Sequence, residues 1–211
     1  MSFTPTIVDP AAIETESFRI IEAEVGLHGF AAQEWPVVRR IIHTTADFDF
    51  LTTTVFAPGA IASALSALRR GAKVCCDTNM VLAGVSKERL TGLGGSIVCH
   101  VADPEVAQAA KSEGVTRSIV ATRKGVAEGS DIWLVGNAPT ALFELLRLVS
   151  AGAPRPALVV GVPVGFVGAV EAKEALSVTD LPYIVCRGRK GGSAIAATIL
   201  NALMILAEEG E

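Results

Sequence analysis

The chain has 211 residues, enough for one large domain, and a formal net charge of −4. That balance gives no global attraction to nucleic acid or to an anionic membrane, so any basic site must be local. Half of the residues are apolar, 19% are charged and only 5% are aromatic; such an aliphatic excess suits a sheet covered on both faces, with surplus for a subunit interface.

The opening Met-Ser-Phe-Thr-Pro-Thr has no basic stretch followed by an apolar one. No secretory leader is expected, and a cytoplasmic location follows. Residues 1–70 show helical signals and no clear strand. Helices are predicted over 13–25, over 34–43 with Pro36 in a favoured first-turn position, and from about 60 to 70 after Ala57-Pro58-Gly59. His28 falls in a Gly-Leu-His-Gly turn between the first two.

From residue 71 onward, apolar runs predict five strands, near 73–78, 96–101, 131–136, 157–162 and 183–187. Helical segments lie near 104–113, 117–128, 139–150, 168–176 and 191–208. Three of the strands break into Gly/Pro-rich stretches: Gly136-Asn137-Ala138-Pro139-Thr140, Pro163-Val164-Gly165-Phe166 and Gly188-Arg189-Lys190-Gly191-Gly192-Ser193. Strand, turn and helix in that order predict an α/β fold over residues 1–211. It is expected to be a three-layer α/β/α sandwich around a five-stranded, mainly parallel, Rossmann-like sheet, preceded by an N-terminal helical region. In such folds the ligand crevice lies beyond the carboxyl ends of the strands.

The uncharged run 191–207 falls short of the roughly 20 residues of a membrane span and carries Ser193, Thr198 and Asn201. A buried helix is expected there, and no membrane association. Cys75, Cys76, Cys99 and Cys186 all fall in predicted strands. Adjacent Cys75 and Cys76 would point to opposite faces, and no zinc-type spacing exists. Small buried hydrophobes in a reducing compartment are expected, with no metal site and no cofactor.

In the segment 36–43, Val37, Val38, Ile41 and Ile42 share one helical face, while Arg39, Arg40 and His43 share the other. One reading is a solvated face that happens to hold a histidine. The other is a proton-transfer histidine beside cationic anchors, where a bound polyanion would favour the imidazolium. His100, near a strand end, reads as a partly buried structural residue. The 188–193 turn offers converging backbone N–H groups, a helix start and two cations, all suited to an anion. A tight turn with a helix cap is the alternative. It is not a G-x-x-x-x-G-K-[ST] loop, and Asp77-Thr78-Asn79-Met80 follows the first strand where a dinucleotide fold would have G-x-G-x-x-G. In Thr116-Arg117-Ser118, Ser118 reads as a helix cap and Arg117 as a carboxylate partner. Asn137 and Thr140 flank Pro139 beyond the third strand.

Seven segments together resemble precorrin-8X methylmutase, a family of corrin-ring enzymes of cobalamin biosynthesis. They are Glu16-Ser17-Phe18 with Ile20-Ile21, Arg40-Ile41-Ile42-His43, Asp77 with Met80, Thr116-Arg117-Ser118, Gly136-Asn137-Ala138-Pro139-Thr140-Ala141-Leu142, Pro163-Val164-Gly165-Phe166-Val167, and the 188–193 turn with Asn201-Ala202-Leu203. The match runs in order over most of the chain. In Glu171-Ala172-Lys173-Glu174 the family often has Ser at position 172.

The resemblance implies an isomerase that moves a methyl group from C-11 to C-12 of the macrocycle, giving hydrogenobyrinic acid, with the proton handled by His43. It implies a homodimer with the pocket near the subunit interface. The migrating methyl is already on the substrate, so no methyl donor is needed. Ser17, Arg40, Asp77, Arg117, Asn137 and Thr140 are expected at the substrate. So are Gly165, Phe166, Arg189, Lys190, Gly191, Gly192 and Ser193. A flat apolar ring edged with carboxylates wants an aliphatic cleft, a cationic rim and backbone donors. Arg40, Arg117, Arg189 and Lys190 can form that rim, and the glycine turns can present the donors. Product hand-over to neighbouring corrin-pathway enzymes fits the same picture. Two rivals remain: a non-catalytic tetrapyrrole carrier, and a nucleotide-dependent enzyme using the 188–193 turn.

Overall fold

The computed structural model describes residues 7–209. Helix α1 (Pro10–Val25) starts at Asp9, whose carboxylate caps the Ala12 N–H at 2.8 Å. Helix α2 (Trp35–Thr45) has the predicted amphipathic pattern: Val37, Val38, Ile41 and Ile42 are at most 1% exposed. Each such burial is worth about 1.5–3 kcal/mol, so the stripe fixes which side of α2 faces the protein. A short turn of helix, α3 (Phe50–Thr53), leads into strand β1 (Thr54–Phe56) and then helix α4 (Ala60–Arg69).

The alternating part begins with β2 (Lys73–Cys76), followed by α5 (Asn79–Gly84), α6 (Lys87–Gly92) and β3 (Ser96–Val98). Two helices, α7 (Pro104–Glu113) and α8 (Arg117–Ala127), lead to β4 (Ile132–Val135). Then come α9 (Pro139–Ser150), β5 (Leu158–Gly161), α10 (Ala169–Ser177), β6 (Tyr183–Cys186) and α11 (Ser193–Glu209). The five expected strands are all present, shorter at their ends by one to three residues.

The sheet has six strands rather than five, in the order β1-β6-β5-β4-β2-β3. The extra one, β1, lies in the region that carries no clear strand signal. It runs antiparallel to β6, with Thr54 opposite Cys186 and Phe56 opposite Ile184. All other pairs are parallel. Every residue of β4, β5 and β6 is buried, as strands covered on both faces must be.

Helices α2, α4 and α5 pack on α11 on one side of the sheet, while α8, α9 and α10 pack side by side on the other. The uncharged run becomes the buried helix α11, and no helix of the described residues is long and apolar enough to cross a membrane. From β2 the chain turns one way to β3 and then returns past β2 to β4. The strand order therefore reverses between β2 and β4, and the carboxyl ends of these two strands form the switch point where α/β proteins seat ligands.

Candidate active site

Asp77 follows β2 directly and governs the switch point. Its Oδ1 accepts the N–H of Gly136 at 3.1 Å, and its Oδ2 accepts those of Asn137 and Ala138 at 2.7 Å each. Burial pushes this carboxyl up, against the pull of the three donors. Asp77 thus holds the loop after β4 and is itself buried. Thr78 caps α5 through the Val81 N–H and meets the Ser193 hydroxyl at 3.2 Å. Gly136 permits this closeness: a Cβ there would lie 2.8 Å from the Ser193 Cα. Ser193, the first residue of α11, is buried in that contact.

The turn after β6 sits on the loop after β5. Gly192 donates its N–H to the Val162 carbonyl at 2.8 Å, and Gly165 donates to the Arg189 carbonyl at 3.2 Å. A Cβ on Gly191 would overlap the Val162 carbonyl oxygen. Of the glycine donors expected to serve a ligand, those of Gly165 and Gly192 are therefore used inside the protein. Gly191 is needed for close packing.

Around this framework the strand-exit edge displays apolar side chains to solvent. Met80, Phe166 and Val167 are 72%, 83% and 89% exposed, and Val164 is nearly half exposed. The Arg189 guanidinium lies 5.3 Å from the Phe166 ring centroid. Arg117 and Asn137 are exposed on the same edge, and the Thr116 hydroxyl donates to that of Thr140 at 3.1 Å. Thr116, rather than Ser118, is the N-cap of α8, and it makes no side-chain cap bond.

His43 stands on the exposed side of α2. It lines a hollow of about 350 Å³ with Ser17, Ile20 and Glu24 of α1 and with Ala46 and Phe48 beyond α2. The Phe18 ring meets the imidazole edge-on, with centroids 5.4 Å apart. The same ring carries the Arg39 guanidinium at 4.1 Å and that of Arg40 at 5.2 Å. Both arginines already have acidic partners on α1. Arg39 pairs with Glu22, and Arg40 Nη1 lies 2.8 Å from Glu14 Oε1. The cationic face of α2 therefore docks α1 instead of standing open.

Two groups of expected residues thus emerge: Ser17, Arg40 and His43 on α1 and α2, and the rest at the strand ends. Lys190 joins them. Its Nζ bonds Asp47 at 2.5 Å and Asp49 at 2.7 Å, fastening the chain just beyond α2 to the turn before α11. Thr44 and Thr198 hydroxyls add a 3.0 Å contact between α2 and α11.

The other two histidines contact neighbouring side chains. His28 stacks on Trp35 at 4.1 Å, and buried His100 places Nδ1 3.0 Å from Asp103. Burial pushes the Cys75 and Cys186 thiols to about 12 and 11; Cys76 is also raised, by its bond with Cys99, which is itself lowered. Cys99 lies one residue past β3. Among the described residues, no three His, Cys, Asp or Glu side chains group as a metal site.

A buried cation escaped the reading of the sequence. Lys173 of α10 is 1% exposed and donates to the carbonyls of Gly188 and Lys190. Its signal was present: Ala169, Ala172, Lys173 and Leu176 form one stripe at i, i+3, i+4 and i+7, so the lysine occupies a core position.

The doubly wound sheet, with its strand order reversing between β2 and β4, defines an α/β protein of the kind that binds ligands beyond its strand ends. Residues 12–206 match the family model for precorrin-8X methylmutase. A cobalt-precorrin-8 methylmutase of Priestia megaterium is 43% identical, over 99% of this chain and 93% of that one. A precorrin-8X methylmutase of Pseudomonas aeruginosa is 44% identical, over 93% and 96%. The crystal structure of a precorrin-8x methyl mutase from Thermus thermophilus superposes with a TM-score of 0.88 at 46% identity, covering 95% of this chain and 97% of its own. The chain belongs to the precorrin-8X methylmutase family. It is an isomerase, moving a methyl group within one molecule.

Proposed function

We propose that this chain shifts a methyl group from C-11 to C-12 of precorrin-8X, giving hydrogenobyrinic acid, and that His43 gives and takes the proton. The observation that carries this assignment is the tie from Lys190 to Asp47 and Asp49, which anchors the end of the His43 helix beside the cationic turn at the strand exits. Met80, Val164, Phe166 and Val167 suit the apolar faces of the ring. Arg117 and Arg189 suit its carboxylates.

The imidazolium at His43 protonates the conjugated ring and makes C-12 electron-poor. The methyl moves with its bonding pair from C-11 to C-12. Loss of a proton, back to the same imidazole, restores conjugation. Assistance of this kind is worth about 10²–10⁴-fold. The 350 Å³ hollow beside His43 can take an edge of a macrocycle rather than the whole ring. The remainder is assigned to a second copy of the chain, and the exposed Ile13 and Ile20 on α1 support such an interface. The homodimer works in the cytoplasm and passes its product to neighbouring corrin-pathway enzymes.

His43→Ala is expected to bind hydrogenobyrinic acid with an affinity close to wild type while turnover falls at least about a hundredfold. Turnover near the wild-type rate would overturn the role of His43. Wild-type protein that binds precorrin-8X without changing its absorption spectrum would instead favour a carrier.

A further inference from the structure

Lys173 lies beneath the 188–191 turn. Its Nζ donates to the Gly188 carbonyl at 2.9 Å and to the Lys190 carbonyl at 2.7 Å. The carbonyl between them, on Arg189, is held by the Gly165 N–H. Three successive peptide groups are therefore pinned by their oxygens. In a trans peptide the N–H points opposite to the C=O. With the Gly188 and Lys190 oxygens drawn inward to a buried ammonium, the N–H groups of Arg189 and Gly191 must face the other way. That direction is away from buried Lys173, on a turn whose residues 188–190 are exposed and whose Gly191 is half-buried. Among the described residues neither N–H has an acceptor.

We propose that Lys173 is a positioning residue for the methyl-shift reaction: from below, it orients the Arg189 and Gly191 amides into a preformed receptor for one carboxylate of the ring. The proposal rests on the assignment of the substrate to the strand-exit crevice. Two N–H groups with a fixed cation behind them and the Arg189 guanidinium beside them suit a carboxylate, whose two oxygens each accept a charge-assisted bond. The Lys190 side chain does not compete for this role, since it is engaged with Asp47 and Asp49. Burial depresses the Lys173 ammonium to about 8, so it remains mostly charged at neutral pH. Without it, two inward carbonyls lose their donors. Turning those peptides over to reach water withdraws both amides from the ligand.

The test compares hydrogenobyrinic acid with its fully methyl-esterified form, each titrated by absorbance into wild-type protein, Lys173→Met and Lys173→Arg. Lys173→Met is expected to weaken binding of the acid about tenfold or more, leave the ester within about twofold, and raise KM while kcat stays within about threefold. Lys173→Arg, which keeps the charge and donors, restores most of the acid affinity. Equal weakening of acid and ester would mean that Lys173 only supports the fold, and would overturn the proposal. So would unchanged acid affinity. Should Lys173→Met fail to fold, Lys173→Gln, which keeps an amide donor without the charge, decides by the same acid-to-ester ratio. The crevice is tested separately by Arg189→Ala and Phe166→Ala. If these leave both ligands bound as in wild type, the crevice assignment falls. If they weaken binding while the Lys173 variants do not, only the role of Lys173 falls.

Discussion

Single side chains in this molecule are mostly committed to partners, and Glu144 shows what such commitment is worth. It is buried on α9 and takes Arg147 from its own helix at 2.7–2.8 Å and Arg123 from α8 at 2.6 Å. The Arg147 bond, helped by Arg123, holds its carboxyl at about 2, against an ordinary 4.5. The folded-state value lies below the unfolded one, so the stabilisation is complete above about pH 4.5 and drains away as pH falls toward 2. A shift of that size corresponds to about 3 kcal/mol, and screening at the exposed arginines reduces it to about 1–2 kcal/mol. Urea unfolding between pH 5 and pH 3 is expected to show a shallower acid slope in Glu144→Gln than in wild type. Equal slopes would mean that the triad contributes nothing net.

At the scale of elements, the joint between β2 and β4 depends on Asp77. Asp77→Ala would strip acceptors from three N–H groups of the loop after β4, each costing about 1–3 kcal/mol when left unpaired. A loss of at least about 3 kcal/mol in urea unfolding is expected, with Asp77→Asn recovering part of it. A loss below 1 kcal/mol would show that water replaces the carboxylate freely. The resemblance to the methylmutase family marked Asp77 as a substrate contact. It could not tell a ligand contact from a backbone anchor, because that depends on where residues 136–138 fold. The parallel strands were legible for a physical reason: burial on both faces demands unbroken apolar runs such as Ile132–Val135. Strand β1 was not legible, since three edge residues pair with a segment about 130 positions away and leave no periodicity of their own. The short helices α5 and α6 were hidden likewise, being too brief to show an apolar stripe.

Across the whole molecule, the exit edge of the sheet and the helix that carries His43 come from separate parts of the chain. Spacing and turn motifs in the sequence pointed to both but not to the link between them, because salt-bridge partners so far apart have no local signature. Arg40 illustrates the limit: its pattern on α2 suggests an open cation, whereas Glu14 of α1 occupies it. Lys190 makes the joining contact, through Asp47 and Asp49, with Lys190 about half exposed and Asp49 largely so. Exposed pairs are screened by water and salt and contribute little to stability, so this contact should matter little to folding. Its effect should lie in geometry, since a displacement of about 1 Å at a reacting group can cost on the order of a hundredfold in rate. The double variant Asp47→Asn with Asp49→Asn is therefore expected to melt within about 3 °C of wild type while kcat/KM falls about tenfold or more. Unchanged kcat/KM would show that α2 is held in place by its buried face alone. A fall in activity matched by a large drop in melting temperature would show that the aspartates support the fold rather than the alignment of the two halves.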